Sequence, residues 1–246
     1  MTTTSVRVRR VLTTRAGGVS RGPYESFNLG DHVGDDPEAV RRNRLRLAEG
    51  IGLGPERLVW MEQVHGRNVE IVDGPRAEPV PVTDALVTTV PELALVVLTA
   101  DCVPILLSDD EAGVIAAVHA GRVGARIGIV PRVLDAMISV GARVERIGAL
   151  LGPAASGRQY EVPAAMRADV EAHLPGSATT TVKGTPGLDL RAGIQRQLEQ
   201  AGVGAVAVDP RCTIEDETLF SHRRGAPTGR LAGVIWMSGD ETAGAP

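Results

Sequence analysis

Aromatic residues are nearly missing from this chain: they make up 2% of its 246 residues, two each of Trp, Tyr and Phe. A core built without them must be filled by Val, Leu, Ile and Ala, and a hydrophobic content of 43% supplies enough of these for a substantial interior. Lysine is scarcer still. Lys183 is the only one among 26 basic residues, a mark of genomic base composition rather than of function. Cysteine is limited to Cys102 and Cys212, a poor disulfide framework for a domain of this size, so both thiols read as reduced. No apolar run reaches the roughly 18 residues of a membrane span, and the start, Met1 to Arg10, lacks the apolar stretch of a secretory signal. A net charge of −4 gives no basic excess to attract nucleic acid or anionic lipid. These absences describe a cytoplasmic protein without a nucleic-acid or membrane partner.

No linker or charge run divides the chain, which reads as one α/β domain over 1–246, with a core of about 6–237 and a polar tail at 239–246. Apolar runs and alternation place strands at 6–13, 58–64, 68–72, 85–90, 93–98, 105–107, 114–118, 147–151, 205–208 and 231–237. Asp36-Pro37 is an N-cap followed by proline at the first helical position, opening a helix that ends before Gly50. Further helices fall at 128–140, 163–174 and 188–201. Clustered strands with interspersed helices predict mixed sheets in layers covered by helices, rather than a strictly alternating doubly wound sheet. No Gly-x-Gly-x-x-Gly follows a strand and no Gly-Lys-Ser/Thr occurs, so neither a dinucleotide fold nor a P-loop is supported.

Three residues stand where a metal site would put them. His65, Cys102 and His119 each lie at or just past the end of an apolar run, so three strand ends can converge at one sheet edge. Two imidazoles and a thiolate form a zinc ligand set with the fourth position open, the arrangement of a catalytic rather than a structural site. Such an ion lowers the pKa of bound water to about 7 and supports hydrolytic attack. The histidine count excludes a multicopper oxidase. Beyond a cysteine with two histidines, a coupled copper cluster needs several histidines more, and the chain has five in all, with His32, His173 and His222 reading as structural or exposed.

Further motifs occur in one order along the chain. They are Leu12-Thr13-Thr14-Arg15-Ala16-Gly17-Gly18, Asn28-Leu29-Gly30, Asn43-Arg44, Gln63-Val64-His65-Gly66, Thr99-Ala100-Asp101-Cys102-Val103-Pro104, His119-Ala120-Gly121, Gly152-Pro153, Cys212-Thr213, Phe220-Ser221 and Thr228-Gly229-Arg230. This order, from about residue 10 to residue 237, resembles the YfiH family, the zinc-dependent purine nucleoside phosphorylase and adenosine deaminase group long labelled polyphenol oxidase or laccase domain. The resemblance implies a layered α/β fold related to thiol hydrolases, with zinc held by His65, Cys102 and His119. It implies phosphorolysis of adenosine, inosine, guanosine and methylthioadenosine, and deamination of adenosine, with nucleoside and phosphate as small-molecule partners. One departure stands out. The family reads His-Ala-Gly-Trp-Arg-Gly, whereas this chain reads His119-Ala120-Gly121-Arg122-Val123-Gly124.

Phosphorolysis needs cations around the phosphate. The candidates are Arg15 in the Gly-rich loop and Arg44, with Asn28 and Asn43 orienting the nucleoside and Arg122 and Cys212 lining its pocket. Asp101, beside the cysteine, is the nearest candidate for a general acid or base, with a turn-capping role as the competing reading. Cys212 stands between pocket lining and buried filler. Two alternatives remain: a Cys-His hydrolase, with Cys102 as nucleophile and His119 as base, acting in peptidoglycan precursor editing, and a non-catalytic metal or nucleotide sensor.

Overall fold

The computed structural model describes residues 7–239. In chain order the elements are β1 (Arg7–Leu12), α1 (Pro37–Ile51), β2 (Leu58–Val59), β3 (Val69–Ile71), β4 (Ala85–Thr88), β5 (Ala94–Thr99), β6 (Val103–Asp109) and β7 (Val114–Ala120). They continue as α2 (Arg122–Arg126), α3 (Ile129–Ser139), β8 (Gly148–Leu151), α4 (Ala164–His173), β9 (Ala178–Thr180), β10 (Pro186–Leu188), α5 (Leu190–Gln200), β11 (Ala205–Val208) and β12 (Leu231–Ser238). Strands assemble into a four-stranded sheet, β1-β12-β5-β2, a six-stranded sheet, β11-β8-β6-β7-β4-β3, and the small pair β10-β9. Both large sheets mix parallel and antiparallel pairs, in agreement with the layered α/β class expected.

The aliphatic composition explains the layering. Side chains alternate across a strand, and β5, β6 and β7 are buried on both faces, which is why they read as unbroken apolar runs. On β7, Val114, Ala116, Val118 and Ala120 pack with α3 and α5 residues such as Val133, Met137, Ile194 and Leu198. Ile115 and Ala117 point the other way, into a core shared with Leu95, Val97 and Ile235 of the facing sheet. Beyond that sheet, Val96, Leu98 and Val234 pack on Leu47 and Ala48 of α1. The order is therefore helix, sheet, sheet, helices. His119 has the parity of Ile115 and Ala117, so it sits at the end of the seam between the sheets. The chain crosses from one sheet to the other between β5 and β6, at Ala100, Asp101 and Cys102, and so delivers the cysteine to the same end.

Differences from expectation have local causes. Helix α1 runs through Gly50 and stops at Gly52, whose φ of 74° provides the left-handed C-cap. The strand expected over 58–64 ends at Val59, because the Gln63 carboxamide substitutes for backbone: its Nε2 donates to the Leu98 carbonyl and its Oε1 accepts from the Leu98 amide, both at 2.8 Å. Helix α2 and strands β9 and β10 were not anticipated; each is five residues or shorter, too brief for a periodic signal. The tail expected at 239–246 lies, from residue 240 onward, outside the described residues. No helix among the described residues is long and apolar enough to cross a membrane.

One buried carboxylate fastens the helix-covered side. Asp109, at the end of β6, is fully buried and accepts from the Ala112 amide (3.0 Å), the Arg143 amide (2.9 Å) and the Arg146 guanidinium (2.9 Å). Burial alone would push its carboxyl up, but these donors outweigh it and hold it below the usual carboxylate range. Its contribution is present above the unfolded carboxyl pKa of about 4 and is lost as pH falls through the lower folded value. Asp109→Ala is expected to destabilise the protein by about 3 kcal/mol at neutral pH in urea unfolding, with the gap to wild type closing in acid. A gap that widens in acid would contradict this account.

Candidate metal centre

The three residues singled out by type and spacing meet. One ligand atom each from His65, Cys102 and His119 lies within 4.8 Å of the other two. Cys102 Sγ is 3.9 Å from His65 Nε2, and the two imidazoles stand edge to face with centroids 4.7 Å apart. His119 is buried at the seam between the sheets, Cys102 is half-buried and His65 is exposed. Among the described residues this is the one cluster of its kind. Its donors fit a metal: two nitrogens and a sulfur within a single ion's reach, with fewer protein ligands than the four of a structural zinc site.

The positions of the three side chains follow from a single acid. Asp84 directly precedes β4 and, by the pairing of Ala85 with Val118, faces His119 across the ladder; the His119 amide donates to its carbonyl at 2.8 Å. The fully buried Asp84 carboxylate meets His119 Nδ1 at 2.8 Å, leaving Nε2 as the free donor atom. It also accepts from the amides of His65 (3.0 Å), Gly66 (2.7 Å) and Val64 (3.3 Å), so it shapes the loop carrying the other imidazole. Burial pushes the Asp84 carboxyl up, yet His119 and these amides prevail and keep it ionised. Four non-glycine residues among the described ones have positive φ, and two of them are here, His65 at 59° and Asp101 at 91°; Val82 and Glu92 are the others. His65 is itself a ligand and Asp101 adjoins one, positions where such backbone strain is characteristically stored. Gly121 is required by space: a Cβ there would lie 2.9 Å from the His65 ring and 3.0 Å from Cys102 Sγ.

Electrostatics prepares the thiol. Burial pushes Cys102 up, but the facing His119 and hydrogen bonding to His119 and His65 bring it down to about 6. Burial pushes His119 down, and the Cys102 and Asp84 charges reverse this and raise it to about 9. Without an ion the pair is a thiolate beside an imidazolium. A divalent cation would take the place of that proton, with the sulfur already in its ligating form.

The cluster opens into a pocket of about 390 Å³ whose lining includes Leu98, Ala155, Tyr160 and Leu190. Of the other candidates, Asp101 and Arg122 line this pocket. Asp101 accepts from Thr213 Oγ1 at 2.6 Å and from the Arg223 amide at 2.7 Å, so both carboxylate oxygens hold neighbouring loops. Arg122 opens α2 with its side chain on the pocket, while Val123 is exposed on the outside. Arg15, Asn28, Asn43, Arg44 and Cys212 are not among the lining residues. Arg15 donates to the Glu25 carbonyl and lies over Phe220, and Arg44 pairs with Asp31 at 3.0 Å and stacks on Trp60 at 4.0 Å. Asn43 is buried, binding Ser20, the Ser26 and Asn28 carbonyls and the Val19 amide, and so organises the Gly-rich loop. Cys212 is buried and accepts from the Ser156 amide at 3.4 Å.

Several pocket residues escaped the sequence reading. His32 and His222, taken there as structural or exposed, are exposed and line the pocket. Arg223, Arg230 and Tyr160 join them. Arg230 and Tyr160 had signals that were available: the Thr228-Gly229-Arg230 motif was recognised without a role, and Tyr160 is one of two tyrosines. Asp84 had none, since a lone aspartate before a strand reads as a turn residue.

Comparison with known proteins finds relatives over nearly the whole chain. Residues 9–238 match the family described as multi-copper polyphenol oxidoreductase laccase. A purine nucleoside phosphorylase of Mycobacterium tuberculosis is 65% identical over 233 residues, covering 95% of this chain and 93% of the relative. One from Corynebacterium glutamicum is 62% identical over 232 residues, covering 94% of each. Among solved structures, YlmD from Geobacillus stearothermophilus superposes with a TM-score of 0.87 at 34% identity, covering 94% of this chain and 92% of that one. YfiH from Bacillus licheniformis gives 0.86 at 31%, covering 93% and 92%.

The role of Asp84 is open to direct measurement. Asp84→Asn keeps the shape but weakens the hold on His119 Nδ1 and the 64–66 amides, and is expected to lower metal affinity about 10- to 100-fold in competition with a chelating dye. Unchanged affinity would show that the imidazole is oriented by packing alone.

Proposed function

We propose that this chain, which belongs to the family described as multi-copper polyphenol oxidoreductase laccase, is a zinc-dependent purine nucleoside phosphorylase that also deaminates adenosine. The observation that carries the reading is the convergence of His65, Cys102 and His119 beside a pocket lined in part by apolar residues. The phosphorylase names of relatives at 65% and 62% identity support it. In this reading the substrates are adenosine, inosine, guanosine and methylthioadenosine. Zinc held by the three ligands would supply Lewis acidity at the pocket.

The remaining work falls to the chain's own residues. Leu98, Ala155, Leu190 and Tyr160 offer apolar lining for a purine, and the Tyr160 ring, with the Arg223 guanidinium 4.9 Å from its centroid, is the aromatic surface of a pocket where Arg122 stands in place of the family's tryptophan. Asp101 holds the turn that presents Cys102 and stays in reach of the pocket as an acid or base. In phosphorolysis a phosphate oxygen bonds to the sugar's anomeric carbon as the bond to the purine nitrogen breaks, and that nitrogen takes up a proton. The laccase description implies different chemistry. The pocket contains four histidines and one cysteine, of which three residues form the cluster, short of the donors for a coupled copper assembly.

One observation favours a second reading. Cys102, His119 and Asp84 form a thiol, imidazole and carboxylate relay, the arrangement of a cysteine hydrolase; its peptidoglycan-precursor substrate is what the family resemblance implies. Against it, such a relay has no use for His65, whose Nε2 also stands 3.9 Å from the sulfur.

Elemental analysis is expected to find about one zinc per chain, with Cys102→Ser and His119→Ala each losing most of it, because a hydroxyl is a poor ligand and a methyl group none. Adenosine is expected to yield adenine and ribose 1-phosphate only with phosphate present, and inosine without it. Near-stoichiometric zinc in both variants would remove the metal site. Full activity under chelation, abolished by thiol alkylation, would favour the hydrolase.

A further inference from the structure

We infer that Arg230, flanked by Arg223 and Arg122, forms an oxyanion subsite of this pocket, and that inorganic phosphate is the anion it takes. Only the identity of the anion rests on the phosphorolytic reading. The three guanidinium groups line the pocket, and among the described residues none of them makes an ion pair. Arg223 is exposed and Arg122 and Arg230 are half-buried; burial pushes the Arg230 pKa below its ordinary value, and its Nη1 reaches the Thr228 and Gly229 carbonyls, at 3.0 and 3.1 Å. Among the described residues no carboxylate lies within ion-pair distance of it, and the nearby Cys102 and Asp101 charges do not offset its burial; a guanidinium so placed is favoured when a ligand supplies further negative charge. Asp101, the carboxylate among the lining residues, cannot easily do so, since its oxygens already accept from Thr213 and the Arg223 amide. Arg44 shows the contrast. It has its own carboxylate in Asp31 and an aromatic face in Trp60.

Residues far apart in sequence build the seat for Arg230. Asn28 Oδ1 accepts from the Arg230 amide at 2.8 Å and from the Gly30 amide at 2.9 Å, and the Leu29 amide donates to the Arg230 carbonyl at 3.2 Å. A Cβ on Gly30 would stand 2.7 Å from Arg230 Cγ, so glycine makes room for the arginine stem. The Asn28-Leu29-Gly30 and Thr228-Gly229-Arg230 segments are thus one device that fixes a cation at the pocket wall. Asn28 and Gly30 are positioning residues, acting through Arg230.

Isothermal titration of orthophosphate into zinc-loaded protein, in a buffer free of other oxyanions, tests the assignment. Arg230→Met keeps the apolar stem and is expected to weaken phosphate binding at least about tenfold, with Arg230→Lys recovering part of the loss and zinc content unchanged. Gly30→Ala is expected to weaken it as well, but to add nothing in combination with Arg230→Met. If Arg230→Met folds poorly, Arg230→Lys and Gly30→Ala decide by the same titration. Phosphate affinity within twofold of wild type in these variants, no phosphate binding by wild type, or a greater loss in Arg15→Ala than in Arg230→Met would overturn the subsite. A parallel product assay separates the two claims. Arg230-dependent phosphate binding without ribose 1-phosphate leaves the subsite and removes phosphorolysis, whereas phosphorolysis with an unaltered phosphate KM in Arg230→Met does the reverse.

Discussion

The Asp84 carboxylate is the point on which the site depends. Four groups converge on it: His119 Nδ1 from the neighbouring strand and the amides of Val64, His65 and Gly66 from a loop that has left the other sheet. Removing a carboxylate from water is unfavourable unless it is fully hydrogen-bonded, and here every partner is a donor. The same contacts keep it ionised, and the ionised form orients the imidazole. Ligand geometry, loop shape and local charge are thus consequences of one buried acid.

Its position makes sense only in the layered fold. Two sheets packed face to face have an open seam at each end, and at this end three chain segments arrive from different layers: the loop after β2, the crossing between β5 and β6, and the end of β7. A cluster drawn from both sheets is held by the whole inter-sheet core, in which Leu95, Val97, Leu106, Ile115 and Ile235 are buried. Gln63, hydrogen-bonded to both backbone groups of Leu98, pins the first segment to the second. Rigid packing of this kind suits a site that must present donor atoms to a small ion with little tolerance for error.

What the sequence made legible follows from how burial writes itself into residue order. Strands covered on both faces are unbroken apolar runs, so the strands now seen at Ala94–Thr99, Val114–Ala120 and Leu231–Ser238 could be placed within a residue or two. His119 was legible as the polar residue closing such a run, and His65 and Cys102 by type and motif. The sheet crossing at Asp101 was not, because consecutive strands usually pair with each other, and β5 and β6 belong to different sheets. Nor was Asp84, whose role depends on a partner 35 residues away. Short elements such as β9 and β10 are stabilised by tertiary contacts rather than by any pattern of their own.

Arginine shows where reading by residue type stops. The chain carries a net charge of −4, and its bulk field gives a phosphate no reason to approach. What counts is the local balance of charge, which depends on whether each guanidinium already has a counter-ion. Arg44, in a motif that drew attention, is neutralised by Asp31 and covered by Trp60. Arg230, in a motif recognised without a role, is seated by Asn28 and lines the pocket without a carboxylate partner. In sequence the two are equivalent: each follows a small polar or glycine residue in a recognisable motif. They differ only in the company the fold gives them, and in a pocket beside a thiolate and two imidazoles that company decides which arginine is free to hold an anion.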